Sequence, residues 1–438
     1  MALPQSLNYL DVQRRAAASR SFRSKLASSN GISFQMGDEI VFDLPGSVQN
    51  SFYDMNSMYV EYTVTNNDGA SVAFDGGAGA YSMWSRVSMS SAGATISNIT
   101  GFANLANCLF DSQVGTNYSR NVAHNMLGTS LEGKSYVGAS IANGTSRKVC
   151  LPLIALAPCN STPTRFFPAM SRDRVQLRIT LSDAATAFYH TVAGLTDADI
   201  AITDVNLVFY TVELQPQVMQ QIAQMTGNRF EIMCADYIHA SSSVAKGSTA
   251  HTATLGFSSG SLEAVTVSHR CSDNISNVIR HSFTRSSANL SQYQLAVNNN
   301  LYPTRPLLVD NVSKAEAMAE LQLSKHALKN FNEPANFNSN GTALVDYYNV
   351  SDASGAVPGS FLTAIELESF AGSDKVYAGI NTVAATTQLQ LEYNNTSNNA
   401  VGVSTTGVPE NQTIDVYGLR TVKLVLDMSA LGTFEIFV

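Results

Sequence analysis

Charge is scarce in this sequence. Of its 438 residues only 14% are Asp, Glu, Lys or Arg, against roughly 25% in an ordinary soluble protein. Lysine is scarcer still, nine against seventeen arginines, which is the bias of surfaces that become interfaces. A chain standing alone in water would want more surface charge, so the composition predicts a large area buried between subunits. Five cysteines, Cys108, Cys150, Cys159, Cys234 and Cys271, are odd in number and form no CxxC pair. That argues against a zinc knuckle and against a complete disulfide framework, and leaves them as small buried apolar residues. No run of about eighteen apolar residues occurs, and Met1 to Asn30 has no apolar core followed by a cleavage site. Neither a membrane span nor a secretory signal is therefore expected, and the chain reads as made and used inside a cell.

The motifs of common enzymes are also missing: no GxSxG, no HExxH, no Walker A loop and no glycine-rich fingerprint after a strand. The histidines, His124, His190, His239, His251, His269, His281 and His326, are scattered. His239, His251 and His269 fall on successive predicted strands and could converge on a metal, although ordinary strand histidines are the weightier reading. Asp197-Ala-Asp199 with Asp204 supplies carboxylates without the spacing of a calcium loop, which favours polar-turn chemistry. The sequons at Asn98, Asn143 and Asn340 are what an Asn/Ser/Thr-rich chain produces by chance. No catalytic, cofactor-binding or metal residue is assigned, and no cofactor is expected.

What is present begins with a basic N-terminus. The net charge of −8 excludes the body of the protein as an electrostatic nucleic-acid binder, yet Arg14, Arg15, Arg20, Arg23 and Lys25 stand against a single Asp11 in that stretch. Asp11 suits a helix N-cap, and Ala18, Phe22 and Leu26 share an i, i+4 spacing, so a basic amphipathic helix could form on contact. Its partner would be a neighbouring subunit, anionic lipid or nucleic acid; the alternative is a solvated tail.

Near the middle of the chain, Thr211 to Gly227 closes one strand, forms a short glutamine-rich helix and opens another strand at Arg229. Pro216 suits the first helical position and Gly227 the position just past the end. Val218, Ile222 and Met225 mark a narrow apolar face, and so polar a helix is expected to dock as a clamp between two separately cored units. The implied division is a basic arm over 1–30, one unit over 31–214, a linker over 215–228 and a second unit over 229–438.

Both units read as short strands of period two. In the first these are Ile32–Met36, Ile40–Leu44, Met58–Val64, Tyr81–Met89, Ala94–Ile99, Lys148–Leu156, Arg174–Leu181 and Ile202–Leu214, with a helix from Phe102 to Phe110. In the second they are Phe230–Ile238, Ala250–Phe257, Leu262–His269, Val278–Phe283, Tyr293–Val297, Phe361–Phe370, Gln388–Tyr393, Val416–Leu426 and Thr433–Val438. Ser313 and Glu316 form a capping box for a helix whose buried stripe is Met318, Leu321 and Leu328. Trp84–Ile96 with its helix parallels Ile279–Ser291 with its helix, and Arg174–Leu181 parallels Gln388–Tyr393. About eight strands per half is the count of a jelly roll. The fold class is all-β with a few short helices, as two tandem eight-stranded jelly-roll barrels.

Trp84 to Phe110, Ile279 to Leu328, the Leu214 to Arg229 hinge, and Gln292-Tyr-Gln-Leu295 with Tyr302-Pro-Thr-Arg-Pro306 resemble the double jelly-roll major capsid proteins. That lineage includes adenoviruses, tailless membrane-containing phages, large nucleocytoplasmic DNA viruses, virophages and polinton-like viruses, and the chain is most similar in flavour to the last two. The likeness is architectural across nearly the whole chain and rests on no short diagnostic motif. It implies a homotrimer with six upright jelly rolls and a pseudo-hexagonal outline, tiling an icosahedral virion shell assembled inside the host cell. The implied partners are neighbouring capsomers, minor capsid and penton proteins, and an internal membrane if the virus has one. No enzyme activity and no sequence-specific nucleic-acid binding are implied. The loops Asn66–Ala80 and Asn394–Pro409 would face outward, and Arg14, Arg15, Arg20, Arg23 and Lys25 would sit at the base. Two other readings are a minor capsid or spike protein with similar rolls, and a carbohydrate-binding β-sandwich. The latter wants an exposed aromatic platform, for which the one tryptophan, Trp84, lies inside a predicted strand while seventeen tyrosines remain.

Overall fold

The computed structural model of the chain describes residues 19–115, 118–131, 137–161, 164–191, 194–309, 314–325, 359–368, 378–393, 407–427 and 433–437. The first half contains β1 (Ser19–Ala27), β2 (Ser33–Gln35), β3 (Glu39–Leu44), β4 (Ser51–Asn66), β5 (Val72–Asp75), β6 (Trp84–Ser91), β7 (Ala94–Thr100), helix α1 (Phe102–Gln113), β8 (Val137–Ile141), β9 (Ser146–Pro152), β10 (Phe167–Pro168), β11 (Val175–Leu181), β12 (Phe188–Tyr189) and β13 (Ile200–Leu214). Helix α2 (Pro216–Thr226) leads to β14 (Arg229–Val244), β15 (Ala250–Thr254), β16 (Leu262–Cys271), β17 (Leu290–Val297), β18 (Asn300–Leu308), α3 (Lys314–Leu323), β19 (Thr363–Glu366), β20 (Thr387–Tyr393), β21 (Gln412–Asp427) and β22 (Thr433–Phe437).

Strand order identifies the architecture. The first half has one sheet ordered β1-β13-β4, with β2 also on β13 and β9 on β4, and a second ordered β3-β11-β6-β7. The second half repeats this as β14-β21-β16-β19 and β15-β20-β17-β18. In each half the opening strand lies beside the closing one, and the next strand inward lies beside the next-to-last, which is the interleaving of a jelly roll. The chain is a double jelly roll. The alternation that selects strands is plain in β11, where Val175, Leu177, Ile179 and Leu181 are buried while Gln176, Arg178 and Thr180 face outward. β20 does the same with Leu389, Leu391 and Tyr393; it and β11 are the equivalent strands of the two rolls.

Three expectations need correction. Ser19–Ala27 is a strand, not an amphipathic helix, and belongs to the first roll rather than to a separate arm. It pairs antiparallel with β13 from Ser19 opposite Leu214 to Ala27 opposite Asn206. A fifteen-residue closing strand presents a long row of backbone donors and acceptors, and pairing that row outweighs a helix that buries only one narrow stripe.

Second, Val278–Phe283 is not a strand. The hairpin equivalent to β6–β7 is β17–β18, so Trp84–Ile96 corresponds to the region from Leu290 rather than to Ile279–Ser291. Both hairpins turn through two left-handed residues, Ala92 and Gly93 at φ 50° and 82°, Asn298 and Asn299 at 47° and 69°, which suits the strand twist. A helix follows each hairpin. The alternation at 278–283 misled because that segment packs against the other roll.

Third, the two units are not separately cored. Cys234, Tyr237, Val422 and Leu424 of the second half join the first core, and Cys108 of α1 joins the second. The linker helix α2 docks through one side chain: Met219 is its only buried residue, packing with Phe52 and Met170 of the first roll and Phe230 of the second, and Met225 is 86% exposed. Pro216 sits in its first turn and Gly227 takes φ 64° at its end. Arg14, Arg15, Ser313, His326, Leu328, the Asn340 sequon and residues 394–406 lie outside the described residues.

Candidate assembly surfaces and the seam between the rolls

Helix α1 lies between the rolls. Its Phe102, Leu105 and Leu109 enter the first core, while Asn104 points the other way and donates to Asp415 Oδ2 at 3.0 Å. Asp415, on β21 with its side chain 3% exposed, also accepts from Arg270 Nε at 2.9 Å and Nη2 at 2.7 Å. His239 Nε2 lies 3.0 Å from its other oxygen, and His239 Nδ1 lies 2.8 Å from Thr100 Oγ1 of the first roll. Tyr417 stacks on His239 at 4.8 Å and donates to the Gly101 carbonyl at 2.8 Å. Gly101 has φ 61°, and a Cβ there would fall 2.9 Å from His239 Cε1. Burial alone would raise the Asp415 carboxyl, yet Arg270 and His239 hold it well below the usual carboxylate range.

Three more carboxylates, two of them buried, make contacts across the same seam. Asp75 accepts from the Ser282 N–H at 2.6 Å and lies 3.1 Å from His281 Nδ1; burial pushes its carboxyl up, with His281 only partly offsetting. Asp236 takes Arg420 through Nε at 3.1 Å and Nη2 at 2.8 Å and accepts from Ser97 of the first roll at 2.5 Å. Arg285, almost wholly buried, donates to Asp111 of α1. Asp75 and Asp111 find their partners in the other roll, whereas Asp415 and Asp236 keep their arginines within the second roll and reach the first through Asn104 and Ser97. Sliding one roll on the other would strand the first two and break the hydrogen bonds of the others in a dry interface. The seam therefore holds one relative placement of the rolls. Sequence reasoning missed these residues. The available signal was a lone acid inside an apolar strand run, as in Ile414-Asp415-Val416 or Phe74-Asp75.

The basic residues of the N-terminal stretch that fall within the described residues turn toward their own roll. Arg20 pairs with Glu213 at 2.6 Å, Arg23 donates to the Tyr59 hydroxyl at 2.6 Å, and Lys25 meets Glu61, which Lys148 also approaches at 3.5 Å. The Arg20 and Arg23 contacts are exposed and each is worth little alone, while Glu61 is buried beneath its two lysines. They nonetheless use up charge that was expected to face lipid or nucleic acid.

The histidines singled out by spacing take separate partners. His251 pairs with Ser242 at 2.8 Å and His269 with the Tyr393 hydroxyl at 3.2 Å. Among the described residues no group of three or more His, Cys, Asp or Glu could hold a metal. Asp199 closes a capping box with Thr196, Asp197 accepts from the Ala184 N–H at 2.6 Å, and Asp204 pairs with Lys148 at 3.0 Å, which is turn chemistry. Trp84 is fully buried and forms no part of an exposed platform.

His269 gives the fold a pH dependence. Burial pushes its imidazole down to about 4. Above about pH 6.5 it is neutral folded or unfolded and has no effect; below that the unfolded chain takes up a proton the folded chain refuses, so stability falls until about pH 4. Between about pH 7 and about pH 5 this loss is on the order of 2 kcal/mol. Urea unfolding at both pH values is expected to show His269→Gln losing that much less than the parent. Equal losses would rule out His269 as the cause.

The outer walls are polar with little net charge. On the first roll Gln176, Arg178 and Thr180 of β11 stand opposite Asp43, Val41 and Glu39 of β3 and Ser90, Ser88 and Arg86 of β6. On the second, Thr252 faces Gln390, and Thr254 faces Gln388. The second of these suits close lateral packing because Thr252, Thr254, Gln388 and Gln390 carry no charge to desolvate, while on the first the charges balance and Arg178 pairs with Glu39 at 3.5 Å.

No family model matches the sequence, and no curated protein does. Solved structures do share the fold. PBCV-1 VP54, fitted into a cryo-EM reconstruction of the virophage Sputnik, is 12% identical over 97% of this chain and 97% of its own, with a TM-score of 0.63. The Faustovirus major capsid protein is 8% identical over 94% of this chain and 91% of its own, with a TM-score of 0.60. The mavirus major capsid protein is 12% identical over 100% of this chain and 95% of its own, with a TM-score of 0.52. At such identities the likeness is one of fold, extending through both rolls.

Proposed function

We propose that this double jelly roll is a major capsid protein, three copies of which close into a pseudo-hexagonal capsomer that tiles an icosahedral virion shell. The observation that carries the reading is the seam. Two rolls of the same topology are locked into one block by buried polar and charged contacts, and a block of fixed shape is what repeated lateral contact on a lattice requires. The polar walls, of little net charge, are the surfaces that neighbouring copies would cover, in keeping with an interface of about 800 Å² or more per partner. The solved capsid proteins of the same fold support this reading. The role is mechanical, with no turnover and no cofactor; its partners are copies of itself, minor and penton proteins at the shell's special positions, and a membrane beneath the shell where one exists.

Light scattering of the purified chain tests the proposal. The expected result is a mass of three chains at micromolar concentration, with shells appearing as concentration rises. A stable monomer at high concentration would overturn it.

A further inference from the structure

Thr100 ends β7 and is exposed, just where the chain turns through Gly101 into α1. Its hydroxyl lies 2.8 Å from His239 Nδ1, and His239 Nε2 lies 3.0 Å from Asp415 Oδ1. A hydroxyl, an imidazole and a carboxylate thus stand in line across the seam, each within the reach that proton transfer needs. Holding the rolls together accounts for the two inner members. It does not require the outermost one to be open to solvent.

The protons on this line can be placed. Asp415 stays ionised despite its burial because Arg270 and His239 hold it so, and a carboxylate only accepts. The neutral imidazole therefore carries its proton on Nε2 and presents a lone pair at Nδ1, to which Thr100 donates. That is the polarity of a hydroxyl activated by a neighbouring base, with the carboxylate fixing the tautomer. The ring is held in this orientation. Tyr417 stacks on it at 4.8 Å, and Gly101 leaves the room that a Cβ, 2.9 Å from His239 Cε1, would take.

The surroundings of the hydroxyl are positive. Arg86 of β6, exposed, stands directly opposite Thr100 in the hairpin, with its Nε donating to Asn98 Oδ1 at 2.8 Å. Helix α1 opens two residues beyond Thr100 with no side-chain cap and no acidic residue in its first turn, so its partial positive charge is not offset by a side chain. Both favour an oxyanion and an anionic leaving group beside the hydroxyl.

We propose that Thr100 is an acyl-acceptor site, activated by His239 and with Asp415 as its positioning residue, for donors with an anionic leaving group such as acyl phosphates. Thr100 Oγ1 attacks the acyl carbon, the bond from that carbon to the phosphate oxygen breaks, and its electron pair departs with the phosphate. The hydroxyl proton passes to His239 Nδ1 and from there to the phosphate. One ester forms per chain, so the step is a modification without turnover, and it does not depend on how the chain assembles.

The test incubates the full chain with acetyl phosphate at neutral pH and maps acetyl groups by mass spectrometry of its peptides. Thr100 is expected to be acetylated at least about tenfold faster than any other serine or threonine. Thr100→Ser, which keeps the hydroxyl, should retain the label at that position, and Thr100→Ala should abolish it. His239→Gln is expected to slow it about a hundredfold. Arg86→Gln, on the surface, should slow acetylation by acetyl phosphate more than by neutral p-nitrophenyl acetate. Acetyl groups spread evenly over the hydroxyls or confined to lysines, or an unchanged rate in folded His239→Gln, would reduce the line to a seam contact and overturn the proposal.

Discussion

Replacing Asp415 with alanine is expected to destabilise the chain by about 3–5 kcal/mol, the largest effect of any single substitution at the seam. The reason is what it leaves behind. Arg270 is buried and directs both its Nε and its Nη2 at Asp415, and Asn104 loses its acceptor across the seam. An unpaired guanidinium in a dry interface is far costlier than the pair is stabilising. Asp415→Asn keeps an oxygen for Arg270 and is expected to cost less. The sign of the pH response follows from a carboxyl held below its ordinary range. Its stabilisation is fully present above about pH 4 and disappears only in stronger acid, so mild acidification leaves this part of the seam closed. Urea unfolding at neutral pH is the measurement. A loss below about 1 kcal/mol for Asp415→Ala would mean that this buried cluster does not stabilise the fold.

Trp84→Ala is expected to lose a comparable amount, about 3–5 kcal/mol, through the cavity it opens. Trp84 is wholly buried, donates through Nε1 to the Tyr62 hydroxyl at 3.2 Å, and packs on Tyr81 at 5.6 Å and Phe102 at 5.7 Å. Phe102 is the first residue of α1, the helix that carries Asn104 and Asp111 into the seam. A void under Phe102 therefore loosens the anchor of the polar contacts as well as the core. The consequence is measurable as non-additivity: Trp84→Ala and Asp415→Ala together are expected to cost less than the sum of their separate effects, by about 0.5–3 kcal/mol. Strict additivity would show that α1 does not connect the first core to the seam. Trp84→Phe, which fills much of the volume, should recover most of the loss.

The architecture was legible in the sequence because sheet faces write themselves as period two. β11 and β20 alternate without a break, and their equivalence could be drawn from the residues alone. The hairpin at Asn298-Asn299 carried a turn signal that was passed over for the alternation of Ile279 to Phe283. Ile279 is 46% exposed, and the segment makes no strand of its own but lies against β5 and β12 of the first roll. In the linker, helical spacing put Val218, Ile222 and Met225 on one apolar face, whereas Met219 is the side chain that meets Phe230 and Phe52. On a helix this short, one neighbour decides which residues are covered.

Composition and periodicity by themselves determined that the chain is all-β, that it comes in two similar halves, and that its walls carry little charge. Each of those properties is local, written in which residues alternate and which are rare. Only the tertiary structure decided that Ser19 to Ala27 closes a sheet edge nearly two hundred residues away, that the cores share residues, and that Asp75 and Asp111 find partners in the other roll while Asp236 and Asp415 reach it through Ser97 and Asn104. A buried acid is stable only beside a specific donor. Where that donor comes from depends on how the rolls are stacked, which no local pattern records.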